Sequence, residues 1–332
     1  MSADAEISSP TTTKVTQVPF ATLNLYKPIG PTSHDMVAQM RKVFNTKKIG
    51  HLGTLDPMAE GVLPICIGNA TRLIEYFPDT KTYIASMRLG KETTTLDMEG
   101  DVWKERPVPA GISPELLERV FEGFTGHIEQ RVPRYSAVHY NGKKLYHYAR
   151  AGVRIPFEAL PVKPVEISHL ELIEAHLNQA EPEFKIRVSC SSGTYIRSLV
   201  RDIAYSLGTV GVMTGLVRTR HGRFYAETSH RLDEVKQAVD PWALTINPLQ
   251  CLSLPHLQLD SQDSYDRLLH GAVLSEEHFT PNLLKNETLA LAIHERKLAG
   301  VTQWDNQRLR PRKILDVHFD VDIEHIQDVP IH

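Results

Sequence analysis

Positive charge is in short supply in this chain: 37 Lys and Arg stand against 40 Asp and Glu, a formal net charge of −3, with a pI near 6.6. A protein that coats nucleic acid indiscriminately needs a basic surplus, so that class is excluded. A local basic cleft able to attract phosphates is not. Cysteine is equally scarce. Cys66, Cys190 and Cys251 are far apart and form no CxxC pair, which leaves neither a disulfide framework nor a zinc motif and fits a reducing compartment. All three read as small core hydrophobes. No apolar run reaches transmembrane length, so no membrane partner is expected. The opening MSADAEISSPTTTKVTQVP carries acids and no apolar h-region, so it reads as a disordered polar tail rather than a secretory signal, and the expected location is cytoplasmic. Common cofactor signatures are missing as well: there is no Walker P-loop, no GxGxxG after a strand, no HExxH and no GxSxG. The 16 histidines show no ligand spacing. Neither a metal nor a nucleotide cofactor has support in the sequence.

What is present is an ordinary globular composition, 41% hydrophobic over 332 residues, enough for one large domain and a smaller one. A strand is expected from Thr22 to Lys27, and Pro28 and Gly30-Pro31 end it. Ser33 is then read as the N-cap of a helix through Phe44, with Met36, Val37, Met40, Val43 and Phe44 on one face. Gly61 to Ile67 reads as a buried segment, and Thr71 to Phe77 as a short helix. Tyr83 to Leu89 and Phe184 to Ser189 read as strands. Ser113 caps a helix through Phe121, and another runs from Tyr195 to about Leu207. The stretch 133–150 interleaves rings and bases, as RNA-binding surfaces do, although a solvated loop would look the same. Pro248 to Pro255 reads as a linker. Beyond it, TLALAIHE and KILDVHFDV look like strands, and the chain ends acidic, with Asp316, Asp320, Asp322, Glu324 and Asp328. Irregular alternation of strands and helices favours an α+β fold over a doubly wound one. The expected division is a polar tail over 1–20, a catalytic domain over 21–246, a linker over 247–256, and a small β-rich module over 257–332.

The densest signal is Gly50-His51-Leu52-Gly53-Thr54-Leu55-Asp56-Pro57. Two glycines, a proline and a lone carboxylate between apolar segments fix a backbone path, and Pro57 holds Asp56 extended. Alone, this is a tight turn with a capping aspartate. A second segment, SSGTYIRSL, joins a strand to a helix and delivers Tyr195 and Arg197 near the helix start. Arg suits a two-pronged grip on a carboxylate. A third, LVRTRHGR, holds Arg218, Arg220 and Arg223 without an acid and is read as suited to phosphates.

Four pieces in order, KPIGPTS, GHLGTLDPMAEGVLPICIGNATR, KTY before a strand, and SSGTYIRSL, closely resemble the TruB family of tRNA pseudouridine synthases over about residues 22–230. The resemblance implies an α+β catalytic domain around a mixed, mostly antiparallel sheet. It also implies an enzyme that isomerises uridine 55 in the T-arm of tRNA to pseudouridine, with neither cofactor nor metal. Carried over motif by motif, Asp56 matches the catalytic aspartate, and Tyr83 the tyrosine that stacks on the flipped base. Arg197 matches the arginine that pairs with the catalytic carboxylate, and Tyr195 lies beside it. His51 matches a histidine that helps hold the displaced RNA, and Leu216 an apolar wall of the uracil pocket. Lys27 and Pro28 match a pair that supports the catalytic loop. Leu52 departs from the family, which usually carries a smaller or polar residue there. RLRPRKIL resembles the end of a PUA-type RNA-binding appendage, though the acids after it argue against a strong phosphate grip.

Each implied role is sound chemistry. A base inside a stack cannot be reached, so the nucleotide must be flipped out at a cost of a few kcal/mol. Stacking on an aromatic face such as Tyr83 recovers roughly 1–3 kcal/mol. A carboxylate can serve as nucleophile or base, held in orientation by an arginine. The expected partner is tRNA, and the expected state a monomer. Two alternatives stand beside this reading: a guide-RNA-dependent synthase of the dyskerin type, and a tRNA-folding chaperone.

Overall fold

The computed structural model describes residues 19–279, 288–305 and 307–319. Residues 1–18 of the polar tail expected over 1–20, and the acids Asp320, Asp322, Glu324 and Asp328, lie outside the described residues, whereas Phe20 already belongs to the first strand.

The chain opens with β1 (Phe20–Lys27) and α1 (Ser33–Val43), whose Met36, Val37 and Met40 are buried as the 3.6-residue pattern predicts. Ser33, however, is not the N-cap. Thr32 takes that place: its hydroxyl accepts from the Asp35 amide, and the Asp35 carboxylate accepts from the Thr32 amide, which closes a capping box. A T-x-x-D spacing satisfies two orphan helix donors at once, so Thr32 outcompetes its neighbour and frees Ser33 for other work. After β2 (Ile49–His51) and β3 (Glu60–Gly68), the short helix expected near Thr71 is a 3₁₀ element over Asn69–Tyr76.

Next come β4 (Lys81–Leu89), the β5 (Lys91–Thr93) and β6 (Val102–Glu105) hairpin, α2 (Pro114–Glu122) capped by Ser113, and β7 (Gly126–Arg131). The mixed aromatic–basic stretch folds as a small hairpin, β8 (His139–Tyr140) with β9 (Lys143–Lys144), followed by α3 (Leu145–Arg150). Then come β10 (Val162–His176), β11 (Glu183–Cys190), α4 (Ile196–Ser206), β12 (Gly211–His221), β13 (Phe224–Tyr225), β14 (His230–Arg231) and α5 (Leu232–Gln237).

These strands form one sheet in the order β14-β1-β3-β12-β4-β11-β10-β7, with β2 beside β3 and β13 beside β12. Only β1–β14 and β3–β12 are parallel, so the sheet is mixed and mostly antiparallel, as expected. Burial in β4 alternates strictly along its length, which places Tyr83, Ala85, Met87 and Leu89 on one face. There they pack with Leu216, Leu199 and Ile203 in the largest core cluster. The parallel β3–β12 contact depends on Gly61, at φ +111, where a Cβ would come within 2.2 Å of the Arg218 carbonyl oxygen. Only glycine fits there.

A second sheet is built from β15 (His256–Gln258), β16 (Leu274–Ser275), β17 (Leu289–His294), β18 (Lys297–Asp305) and β19 (Arg308–His318), in the order β15-β17-β18-β19-β16, with α7 (Gln262–Leu269) beside it. This makes the fold an α+β chain with a small β-rich C-terminal part. The stretch read as a linker carries α6 (Pro248–Cys251). Its Leu249, Cys251 and Leu252 are buried in a cluster shared by Val62, Cys66 and Leu73 from one side and Leu291, Leu298, Val301 and Leu315 from the other. All three cysteines are buried, and burial pushes the Cys190 and Cys251 thiols up to about 11 and about 12.

Candidate active site

Residues 52–59, between β2 and β3, form a loop held from below by three buried side chains. Ser33, released from capping, trades two hydrogen bonds with Leu55: its hydroxyl accepts from the Leu55 amide (2.9 Å) and donates to the Leu55 carbonyl (3.1 Å). The Lys27 ammonium, fully buried, donates to the carbonyls of Ala59 (2.6 Å), Pro28 (2.9 Å) and Pro57 (3.3 Å). Burial pulls the Lys27 amine down to about 8, and the charge of Asp56 partly opposes that shift. Arg218, also fully buried, donates to the carbonyls of Val62 (2.7 Å), Gly53 (3.0 Å) and Thr54 (3.4 Å). This corrects the reading of Arg218 as a phosphate ligand. It is spent on the loop backbone, while Arg220 and Arg223 donate to the carbonyls of Gly222 and Gln250.

Held in this way, the loop presents Asp56 upward. Its carboxylate is 38% exposed and lies 3.0 Å from Nε of Arg197, whose side chain is only 7% exposed. Gly193, at φ +81, makes the turn from β11 that lets α4 start close to the loop. Three further contacts hold Arg197: to the Thr95 carbonyl (2.8 Å), the Tyr135 carbonyl (3.2 Å) and the buried Asp97 carboxylate (3.4 Å). A guanidinium tied at four points cannot swing away, so Asp56 is held by a rigid partner.

Above this pair lies a cleft of about 580 Å³. Asp56, Tyr83, Tyr195, Arg197 and Leu216 all line it, so the structure brings these five sequence-nominated residues together. Tyr83 and Leu216 are on neighbouring strands of the sheet, opposite Arg218 and Ala85 respectively. Burial pushes the Tyr83 phenol up, and the adjacent Arg218 guanidinium only partly offsets this. The Tyr83 ring is therefore a neutral, largely apolar wall. The Tyr195 amide donates to the Gln130 side chain (2.7 Å), which fixes that corner. His51 ends β2 and does not line the cleft. Burial lowers its imidazole, and Arg218 reinforces the effect. Lys27 and Pro28 lie behind the loop, outside the cleft. Leu52 does line it and also packs against the core cluster that the C-terminal sheet shares.

Sequence reasoning missed three contributors. Asp97 and Glu99 come from the β5–β6 turn and line the cleft. Burial, then Asp97 and Asp56, push the Glu99 carboxyl up. Acids in a Thr-rich turn look like ordinary solvated residues, and nothing local distinguishes these two. Lys81 is the third, lining the cleft beside Tyr83 and paired with Asp79. Asp79 also takes His221 at 3.1 Å. Among the described residues, no group of three or more His, Cys, Asp or Glu is placed to hold a metal ion. No helix of the described residues is long and apolar enough to cross a membrane.

An exposed carboxylate, clamped by arginine and ringed by tyrosines and a leucine at the centre of a mixed sheet, can work on a flat base brought in from outside. Fold and cleft together define a pseudouridine synthase. Residues 41–196 match the TruB family pseudouridylate synthase N-terminal domain, and 197–254 the tRNA pseudouridylate synthase B C-terminal domain. The chain belongs to the TruB family. Similar proteins named tRNA pseudouridine synthase B include one from Listeria welshimeri, 41% identical over 303 residues, covering 89% of this chain and 97% of that protein. Another, from Hydrogenovibrio crunogenus, is 39% identical, covering 89% and 93%. A third, from Staphylococcus aureus, is 36% identical, covering 89% and 98%. Among solved structures, a chain of an H/ACA RNP bound to a substrate RNA containing 2'-deoxyuridine has the same fold (TM-score 0.66, 23% identity, 89% of this chain and 85% of that one). So does a chain of a Cbf5-Nop10-Gar1 complex (TM-score 0.65, 25% identity, covering 91% and 84%).

Proposed function

We propose that this chain is a stand-alone tRNA pseudouridine synthase that isomerises uridine 55 in the T-arm, working as a cytoplasmic monomer without cofactor or metal. The observation that carries the reading is the Asp56 carboxylate 3.0 Å from the Arg197 guanidinium on the floor of a cleft sized for a nucleotide. Relatives named for tRNA, aligned over nearly their full length, support the substrate class.

The reaction breaks the bond from the uracil nitrogen to the sugar and forms one from a ring carbon to the same sugar atom. The hydrogen on that carbon is exchanged for one on the nitrogen, so the atoms balance without an added reagent. The nucleotide enters flipped out of the RNA. Tyr83 offers a face for stacking, and Leu216 an apolar wall that keeps the detached base in place. Asp56 reaches the sugar or the uracil as nucleophile or base, held in position by Arg197. Tyr195 closes the side of the pocket, and His51, outside the cleft, is assigned to the displaced strand. Lys27 and Pro28 support the loop. In the proposed division, a catalytic domain over 21–246 is joined through 247–256 to a C-terminal RNA-binding-like module.

The test is chemical mapping of pseudouridine in a tRNA transcript after incubation with purified protein. Wild type converts uridine 55, and Asp56→Asn forms no pseudouridine yet binds the transcript with wild-type affinity. Full turnover by Asp56→Asn sinks the reading. The fold shared with H/ACA RNP chains raises the guide-dependent alternative, and activity of the purified chain with no guide RNA or partner separates the two. A folding-chaperone activity beside catalysis would show as improved tRNA folding by Asp56→Asn.

A further inference from the structure

The β5–β6 hairpin and the segment 134–154 enclose two clefts, not one. On one side, Thr95, Asp97 and Glu99 face the Asp56 cleft. On the other, Thr94 and Trp103 face Arg134, Tyr135, Ala149, Gly152, Val153 and Arg154 across a second cleft of about 210 Å³. Tyr135 lines both.

The second cleft has an unusual chemistry for a surface. Trp103 is 42% exposed, and Val153 beside it 53%. The Arg154 guanidinium sits 4.6 Å from the Trp103 ring centre and the Lys104 ammonium 5.9 Å. Arg134 anchors the opposite wall through the Ile155 carbonyl, and burial, then the charge of Arg154, lower its guanidinium. No carboxylate lines this cleft. An acid-free wall with two arginines repels cationic partners and attracts anions. A flat π-face flanked by guanidinium groups is the combination that stacks a nucleobase and neutralises its phosphate.

We propose that this second cleft is a nucleobase site, in which an unpaired base of the same RNA, near the target in sequence, stacks on Trp103 while Arg154 and Arg134 take its phosphate. This rests on the RNA-modifying reading above. Because Tyr135 is a wall of both clefts, the two sites are adjacent. The site thus reads the neighbourhood of the target, while the Asp56 cleft acts on the target itself.

The experiment uses the full chain and a set of T-arm stem–loop RNAs, one intact and the others each lacking a single loop base. Activity of wild type on the intact stem–loop is measured first, so failure of the RNA-modifying reading is seen separately, as no pseudouridine. Dissociation constants are then taken for wild type, Trp103→Ala and Trp103→Phe. Trp103→Ala is expected to weaken binding of the intact RNA by about ten-fold or more, the scale of one lost base–aromatic stack, and Trp103→Phe to recover most of it. One abasic RNA other than the one lacking the target should lose the same factor with wild type and nothing further with Trp103→Ala. Equal affinity of Trp103→Ala and wild type for the intact RNA overturns the proposal. So does a loss that is the same factor for every abasic RNA. Thermal melting of the variants, at an exposed position, confirms that folding is unaffected.

Discussion

Replacing Ser33 by alanine removes one oxygen atom from the molecule and separates two roles that adjacent hydroxyl residues could play. If Ser33 were the cap of α1, its loss would cost about 1 kcal/mol and leave the reaction alone. In the structure it instead satisfies both the amide and the carbonyl of Leu55, one residue before Asp56, in a buried setting. Ser33→Ala strands two buried backbone groups, each at roughly 1–3 kcal/mol, so the expected loss of stability is about 3 kcal/mol. The loop no longer has its fixed height, and a displacement of about 1 Å at the reacting carboxylate costs up to about a hundred-fold in rate. Thr32→Ala is the matched control, because it removes the actual capping side chain at an exposed site. It should cost about 1 kcal/mol with an unchanged single-turnover rate. Urea midpoints and single-turnover pseudouridine formation, read side by side for the two variants, decide the matter. If Ser33→Ala matches Thr32→Ala in both, the loop is held by something else and the argument is wrong.

Arg197→Lys keeps the charge but cannot reproduce four contacts from a planar fork. The expected result is a fall in kcat of about a hundred-fold or more, about 3 kcal/mol of lost transition-state support, with RNA affinity within about two-fold, and rapid-quench kinetics with filter binding checks both. His221 gives a pH signature. Burial pulls its imidazole down to about 4, against a favourable bond to Asp79. The unfolded chain then takes up a proton near pH 6.5, before the folded one does, so stability is complete above pH 6.5 and falls as pH drops toward 4, by up to about 3 kcal/mol. Denaturation midpoints across that range should show this slope in wild type and not in His221→Gln; a slope shared by both would assign it to other groups.

Much of the site could be read from the chain, because short segments with unusual composition carried it. The Gly-Pro-dense loop marked Asp56, and the SGTYIR turn marked Arg197 and Tyr195 as a pair at a helix start. The α+β class followed from strands and helices alternating irregularly, and the mixed, mostly antiparallel sheet from the family resemblance. What escaped had no local signature. Asp97 and Glu99 sit in a turn whose acids would suit solvent equally well, and only the return of α4 from a hundred residues away makes Asp97 a partner of Arg197. Arg218 looked like a phosphate ligand because arginine is rarely fully buried. Three backbone carbonyls converging on one point are a tertiary fact, and they override that preference. The Ser33 misreading has a different origin: Pro31-Thr32-Ser33 offers two hydroxyls in succession, and the spacing to Asp35 selects the first.

The buried α6 segment bears on how this protein can be altered. β3 has apolar faces on both sides: Leu63, Ile65 and Ile67 pack toward α1, while Val62 and Cys66 pack with Leu249, Leu291 and Leu315. Lys313 reaches Glu75 (2.7 Å), and Phe319 meets Phe20 edge-on. The C-terminal sheet is therefore a wall of the strand that carries the catalytic loop, not a detachable accessory. Trimming the chain at residue 246 would leave that strand with an uncovered oily flank, and the shortened protein should clump rather than merely lose grip on RNA. Swapping in the tail of a relative would succeed only where its inward residues match the shape of Val62 and Cys66.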